Sequence, residues 1–177
     1  MSLAIGSSII AFKLKNVDGK TIRAEELSKG KQATVIIFSC NHCPYVQAWE
    51  DRMIQLGKSY EPRGAAFALI NANDPAKYPE DSYPEMIKRS KNKGYPFPYL
   101  HDEDQTVAKA YGATRTPEVF LFNAQGKLSY HGRVDDNYED PGKVRTHDLK
   151  DALEAVLGGR APAVSETPAV GCSVKWK

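Results

Sequence analysis

Two cysteines, Cys40 and Cys43, stand three positions apart in the run Cys-Asn-His-Cys-Pro. The β-branched and aromatic residues 34–39 come directly before them and predict a strand buried on both faces. Apolar residues at helical spacing follow, so the two sulfurs lie where a strand gives way to a helix N-terminus. Unpaired N–H groups and the helix dipole stabilise an anion there, and cysteine pKa values fall from about 8.5 to roughly 3.5–7.5. The spacing therefore predicts a dithiol that exchanges with other sulfurs.

His42 lies between the two cysteines. A partly protonated imidazole there would stabilise a thiolate and favour the reduced dithiol, which makes the disulfide more oxidising. The alternative is a solvated residue at the start of the helix.

A metal site is the rival use of a Cys-x-x-Cys pair. Zinc normally takes four ligands, and the set that can be assembled is Cys40, Cys43, His42 and Cys172. A single Cys-x-x-Cys without a second pair is a poor zinc signature, so we predict no metal and no cofactor.

Composition narrows the classes of function. The chain has 177 residues, three cysteines and a formal net charge of +2. Such a small charge gives no reason to expect nucleic acid or an anionic membrane as a partner. No apolar run approaches the roughly 20 residues that cross a bilayer, and the first residues lack the basic region of a secretory signal. We predict a cytoplasmic protein, since few cysteines suit a reducing compartment.

The elements that must position the dithiol alternate between strands and helices. A hairpin is predicted over residues 11–23, with turn chemistry at Asn16-Val17-Asp18-Gly19. Strands are predicted at 34–39, 65–71, 119–122 and 127–132, and helices at 45–60, 83–93, 104–110 and 146–157. The proline-rich residues 95–100 suit a short edge or entry segment. This pattern predicts an α/β fold with a parallel core and added antiparallel strands.

We predict one domain over residues 1–159, with a crossover insertion at about 72–98, and a mostly irregular tail over 160–177 that carries Cys172. Glu50, Asp51 and Arg52 are expected to form a solvated face of the first long helix. The acidic residues 135–140 suit turns and helix caps more than a cation site.

Several motifs carry a resemblance to a known family. They are residues 38–46 (FSCNHCPYV), 116–117 (TP) before 120–122 (FLF), 130–133 (YHGR), 71–74 (NAND), 78–82 (YPEDS) and 171–176 (GCSVKW). With them the chain resembles the thioredoxin superfamily, in the branch shared by alkyl hydroperoxide reductase/thiol-specific antioxidant proteins and the TlpA/ResA-type thiol-disulfide oxidoreductases. It is similar to a bacterial group of thioredoxin-like proteins without a settled substrate.

The resemblance implies a thioredoxin-like fold, in which a central mixed sheet is flanked by helices. It implies a cis peptide bond between Thr116 and Pro117, facing the dithiol, where backbone groups can pair with an extended substrate. Gly132 and Arg133 would lie on the same rim, with Arg133 as a candidate for stabilising a thiolate or a substrate carboxylate. Glu118 either tunes the pKa of a sulfur or points outward.

The resemblance also implies roles for the sulfurs. Cys40 would be the better-exposed sulfur and the attacking thiolate, and Cys43 would resolve the mixed disulfide. Cys172 is either an inert tail thiol or a third sulfur that folds back onto the dithiol rim and exchanges with Cys40 or Cys43. The implied function is a thiol-disulfide oxidoreductase with antioxidant activity, acting on protein or small-molecule disulfides and thiols.

Two alternatives stay open. One is a thiol peroxidase, but the peroxiredoxin pattern Pro-x-x-x-Thr-x-x-Cys is not met. Counted back from Cys43, Cys40 stands in place of the threonine and Ile36 in place of the proline, so that Arg133 is only a loose parallel. The other is a non-enzymatic redox-sensing module whose disulfide switches a partner interface.

Overall fold

The chain folds around a seven-stranded mixed sheet in the computed structural model, which describes residues 1–177. Nine strands form: β1 (Lys13–Asn16), β2 (Thr21–Arg23), β3 (Ala33–Phe38), β4 (Ala65–Asn71), β5 (Tyr99–His101), β6 (Arg115–Thr116), β7 (Glu118–Asn123), β8 (Leu128–Gly132) and β9 (Cys172–Ser173). The main sheet has the order β2-β1-β5-β4-β3-β7-β8, and β6 pairs with β9 alone.

Strand β3 lies near the middle of the sheet because both of its faces are apolar. It runs parallel to β4 and antiparallel to β7. Val35 and Ile37 join the core on one face, and Ile36 and Phe38 join the core on the other. Because β3 is buried on both faces, its end is fixed in the fold. The chain runs from that end directly into the cysteine pair.

Five α-helices cover the two faces of the sheet: α1 (Ala24–Ser28), α2 (Pro44–Tyr60), α3 (Tyr83–Lys93), α4 (Thr106–Tyr111) and α5 (Asp148–Leu157). Residues of α2, α3 and α5 contribute to one core, and residues of α1 and α4 to the other. The predicted α/β class, with a central mixed sheet flanked by helices and an N-terminal hairpin, is confirmed. None of the helices is long and apolar enough to span a membrane.

Of the two alternatives for the proline-rich segment, the structure has the entry to a strand: it leads into β5, which lies inside the sheet between β1 and β4 rather than at an edge. The prediction of a solvated face on α2 is wrong, because that face is largely covered. Glu50 is 1% exposed and accepts hydrogen bonds from Arg89 and Tyr95, while Arg52 donates to Asp135 of the acidic loop; only Asp51 is exposed as expected.

The tail is more ordered than its composition suggests. Strand β9 pairs antiparallel with β6, so that Cys172 lies opposite Thr116. Val174 is buried against the core below α4. The pairing brings the third cysteine to the segment that carries the Thr116–Pro117 bond, which is cis.

Candidate redox site

The first long helix begins at Pro44, so Cys43 is its N-cap residue and Cys40 lies in the loop before it. Proline suits the first helical position because its fixed φ matches the helix and its missing N–H would be unpaired there. Both cysteines are 0% exposed. The expectation that Cys40 is the better-exposed sulfur is therefore wrong, because the tail and the surrounding loops cover both.

The surroundings of the two sulfurs shift their pKa values in opposite directions. A hydrogen bond from the Cys40 thiol lowers the pKa of Cys43 to about 4, with further lowering by the Cys172 thiol and by the backbone N–H groups of Val46 and Cys172. Burial by itself would raise the pKa of Cys43, but the hydrogen-bond donors have the larger effect. The same bond to Cys43, burial and the charge of Asp81 raise the pKa of Cys40. These shifts favour a thiolate on Cys43 over one on Cys40.

Cys172 lies next to this thiolate. Its sulfur is 2.7 Å from Cys43 Sγ, and all three cysteines are free thiols. Burial and the contact with Cys43 raise the pKa of Cys172 to about 11. Cys172 is partly exposed, unlike the other two. The tail thus folds back and places Cys172 beside the dithiol.

A buried carboxylate holds the loop between the cysteines. Asp81 is fully buried and accepts hydrogen bonds from the backbone N–H groups of Asn41 (2.7 Å) and His42 (3.2 Å). The Asn73 side chain donates to its other oxygen at 2.9 Å, and the Asn71 side chain donates to its backbone carbonyl. These bonds connect the cysteine loop to the segment after β4.

The His42 ring is part of the same network. Its Nδ1 is hydrogen-bonded to Asp81, and the ring stacks on Tyr78 with centroids 5.3 Å apart. Ligand atoms of Cys40, His42 and Asp81 lie within 4.8 Å of one another. Because both Asp81 oxygens already accept hydrogen bonds, the cluster favours a hydrogen-bonded network over a metal centre.

The rim that carries the cis peptide bond faces the sulfurs. Thr116 Oγ1 is 3.7 Å from Cys40 Sγ, and the Thr116 carbonyl oxygen is 3.4 Å from Cys43 Sγ. Glu118 points away from the sulfurs. Its carboxylate accepts from the N–H groups of Thr114 and Arg115 and pairs with His131 at 2.7 Å, so it holds the loop before Pro117 in shape.

Gly132 and Arg133, which the resemblance assigns to the same rim, contact the tail and α5. A Cβ at Gly132, whose φ is +150°, would lie 2.1 Å from Thr167 Oγ1, so only glycine lets the tail pass this closely. The Arg133 guanidinium donates to Asp148 at 2.8 Å, and its backbone N–H donates to Thr167. Neither Gly132 nor Arg133 forms a hydrogen bond with a cysteine sulfur.

Sequence reasoning missed the residues that build the surroundings of the dithiol. Asp81 belongs to a motif that supported the resemblance, but nothing in its local sequence indicates a buried acceptor for the cysteine loop. Asn73, from the neighbouring motif, also binds the tail by accepting from the Lys175 N–H at 2.9 Å. The only available signal was the presence of short polar residues directly after a buried strand.

Comparisons with known proteins agree with this geometry. The sequence profile of the AhpC/TSA family matches residues 5–131. The chain is similar to an uncharacterized conserved protein from Geobacillus kaustophilus (43% identity, TM-score 0.93), over 98% of this chain and 93% of that one. It is also similar to a hypothetical protein from Sinorhizobium meliloti 1021 (35% identity, TM-score 0.94), over 100% and 97%.

A more distant likeness identifies the fold. The thioredoxin domain of a thiol-disulfide oxidoreductase from Bacteroides vulgatus superposes with a TM-score of 0.63 at 16% identity, over 73% of this chain and 89% of that domain. The predicted thioredoxin-like fold is thus confirmed. No curated protein matches the chain.

Proposed function

Because the chain belongs to the AhpC/TSA family, we propose that it is a thiol-disulfide oxidoreductase whose Cys40–Cys43 pair exchanges with protein or small-molecule disulfides and thiols. One observation carries the proposal. Cys43, at the N-cap of α2, has a pKa lowered to about 4 by the neighbouring Cys40 thiol. A thiolate with a second thiol beside it is the arrangement that disulfide exchange needs.

The order of attack follows from the two pKa shifts. In the reduced protein the Cys43 thiolate attacks a sulfur of the substrate disulfide, forms a mixed disulfide and expels one substrate thiolate. A second thiol of the protein then loses its proton and attacks the Cys43 sulfur, which releases the other half of the substrate. The two protein thiols are oxidised and the substrate disulfide is reduced. This reverses the roles that the resemblance implied, in which Cys40 attacks and Cys43 resolves.

The remaining predicted residues position the segments around the two cysteines. Thr116 and Pro117 form the rim against which an extended substrate would pair. His42 holds the cysteine loop through Asp81. Glu118 holds the loop before Pro117, and Arg133 holds the tail and α5. A reducing compartment such as the cytoplasm would keep the cysteines ready as thiols.

Disulfide exchange is favoured over peroxide reduction by the position of Arg133. Its guanidinium is paired with Asp148, and Cys40 replaces the hydroxyl that would orient a peroxide.

The test is turnover with a dithiol reductant and either a model protein disulfide or hydrogen peroxide. We expect wild-type protein to reduce the disulfide and Cys43→Ser to lose this activity, whereas Ser173→Ala, on the exposed side of β9, keeps it. Peroxide turnover that exceeds disulfide turnover would contradict the assignment.

A further inference from the structure

The tail is fastened to the site on both sides of Cys172. Before it, the Thr167 N–H donates to the His131 carbonyl at 3.0 Å. After it, the Val174 N–H donates to the Thr114 carbonyl at 2.9 Å, and Cys172 itself lies opposite Thr116 in the β6–β9 pair. A thiol tethered by a flexible tail would sample many positions, but this one is held in place by backbone pairing.

Gly171 and Gln105 allow the tail to lie against β6. A Cβ at Gly171 would lie 2.0 Å from the Thr116 carbonyl oxygen, so any larger residue would force the tail off the rim. Gln105 has a φ of 65°, which is unfavourable for a residue other than glycine. Its buried side chain donates to the Lys175 carbonyl at 3.0 Å and accepts from the Lys177 N–H at 3.1 Å. The strained backbone thus supports a clamp on the end of the tail.

We propose that Cys172 is a third redox cysteine, which resolves the mixed disulfide on Cys43 and passes the oxidised state on to Cys40. This rests on the proposed function, because it requires that Cys43 attack a substrate disulfide. Geometry carries it: the two sulfurs are 2.7 Å apart, and a disulfide bond needs about 2.03–2.05 Å, so under about 1 Å of movement would close it.

The steps balance in sulfur bonds and protons. The Cys172 thiol, on losing its proton, attacks Cys43 Sγ in the mixed disulfide; the Cys43–Cys172 bond forms and the second substrate thiol leaves with a proton. Cys40 then loses its proton and attacks Cys43 Sγ, which forms the Cys40–Cys43 bond and returns Cys172 to a thiol. Overall, two thiols become one disulfide and the substrate disulfide becomes two thiols.

Cys172 precedes Cys40 in this order for two reasons. It is the only one of the three that is partly exposed, so a departing substrate thiol has a path beside it. Cys40 is buried next to the Asp81 carboxylate, which opposes formation of a second anion there.

The tail must also leave the rim before a substrate reaches Cys43. An extended cysteine-bearing peptide is therefore the class of substrate that fits, because it can pair with β6 as β9 does, and the return of β9 to β6 displaces it and brings Cys172 back to Cys43.

The experiment follows thionitrobenzoate release when reduced protein meets one equivalent of 5,5′-dithiobis(2-nitrobenzoate). The first release reports attack by the protein, and the second reports resolution of the mixed disulfide. In Cys40→Ser we expect both releases, and peptide mapping by mass spectrometry should find a Cys43–Cys172 bond. Adding Gly171→Ala to this variant should slow the second release about tenfold or more, because the sulfur is no longer pre-positioned. The first release should become faster, since the tail no longer covers Cys43.

The control is Ser173→Ala in the same Cys40→Ser background, which changes an exposed side chain of β9 and should leave both rates unchanged. A first release without a second in Cys40→Ser would overturn the role of Cys172 and leave the proposed function intact. Absence of the first release would instead refute the proposed function. An equal second release with and without Gly171→Ala would show that docking of the tail does not matter, and would also overturn the inference.

Discussion

At the scale of single residues, the position of a sulfur relative to the helix start decides its chemistry. Cys43 caps α2 and lies beside the Cys40 and Cys172 thiols, which lower its pKa, so a negative charge on it is stabilised. Cys40 lies three residues earlier, in a loop whose carboxylate neighbour disfavours a second anion. Two equally buried cysteines therefore differ in protonation: their surroundings favour the thiolate at Cys43 and the thiol at Cys40.

This contrast predicts a pH dependence. Because the folded pKa of Cys43 lies at about 4, below its ordinary value of 9.0, the thiolate is present above pH 4 and is lost as the pH falls through that value. The shift also contributes stability to the reduced protein that grows as the pH rises from about 4 towards 9.0. The ultraviolet absorbance of the thiolate, followed from acid to neutral pH, should show one thiolate forming near pH 4.

The control for this titration is Cys43→Ser, which should have no thiolate at neutral pH, because burial still raises the pKa of both remaining cysteines and the charge of Asp81 raises that of Cys40 further. A thiolate that persists in Cys43→Ser would show that the charge resides on another sulfur.

The cysteine pair itself could be predicted from the sequence, but the roles within it could not be assigned by resemblance. A dithiol between a buried strand and a helix is a local pattern, whereas the first helical residue decides which sulfur is the cap. Pro44 was the signal for that, since proline favours the first position of a helix. Asp81 was out of reach, because its contacts with Asn41 and His42 depend on how the insertion folds over the end of β3 and β4.

At the scale of secondary-structure elements, α2 is held at its polar face as well as its apolar face. Arg52 donates to both oxygens of Asp135, at 2.9 Å and 2.7 Å, and the Trp49 indole N–H donates to the same carboxylate at 2.9 Å. Asp135 is 3% exposed, so these donors have no ready access to water as a substitute. The loop after β8 is thereby fixed to the helix that carries Cys43 at its start.

We therefore expect Asp135→Ala to lower the free energy of unfolding by about 2–3 kcal/mol, since it leaves the buried Trp49 indole N–H without its acceptor and removes the carboxylate that pairs with Arg52. The matched control is Asp51→Ala, an exposed acid on the same helix, which should change it by under about 0.5 kcal/mol. Urea unfolding of the reduced proteins measures both. Equal effects of the two substitutions would refute the role given to Asp135.

Elements with a strong local period could be predicted well, as the hairpin, β4 and α3 show. The placement of β5 could not, because a strand's neighbours are set by pairing with β1 and β4, which are distant in the chain. For the same reason the burial of Glu50 was missed. Its partners, Arg89 and Tyr95, come from α3 and the segment after it.

At the scale of the whole molecule, the C-terminal tail closes the site that the rest of the fold builds. None of the five main surface cavities is lined by a cysteine, and one of about 580 Å³ lies between α2, the acidic loop and α5. The cysteines instead lie under β9, which occupies the backbone edge of β6. Access to Cys43 and the docking of the tail are thus alternatives, and a substrate must compete with the protein's own terminus.

The most informative measurement compares the Cys40→Ser and Cys43→Ser proteins, because a serine hydroxyl can still donate a hydrogen bond in place of the thiol that it replaces. Each is mixed with an aromatic disulfide at slightly acidic pH, where ordinary thiols are protonated, and the rate of mixed-disulfide formation is measured. We predict that Cys40→Ser, which keeps Cys43, reacts about 100-fold faster or more than Cys43→Ser, because only a thiolate attacks. If Cys43→Ser reacts as fast as Cys40→Ser, the assignment of Cys43 as the attacking sulfur is contradicted.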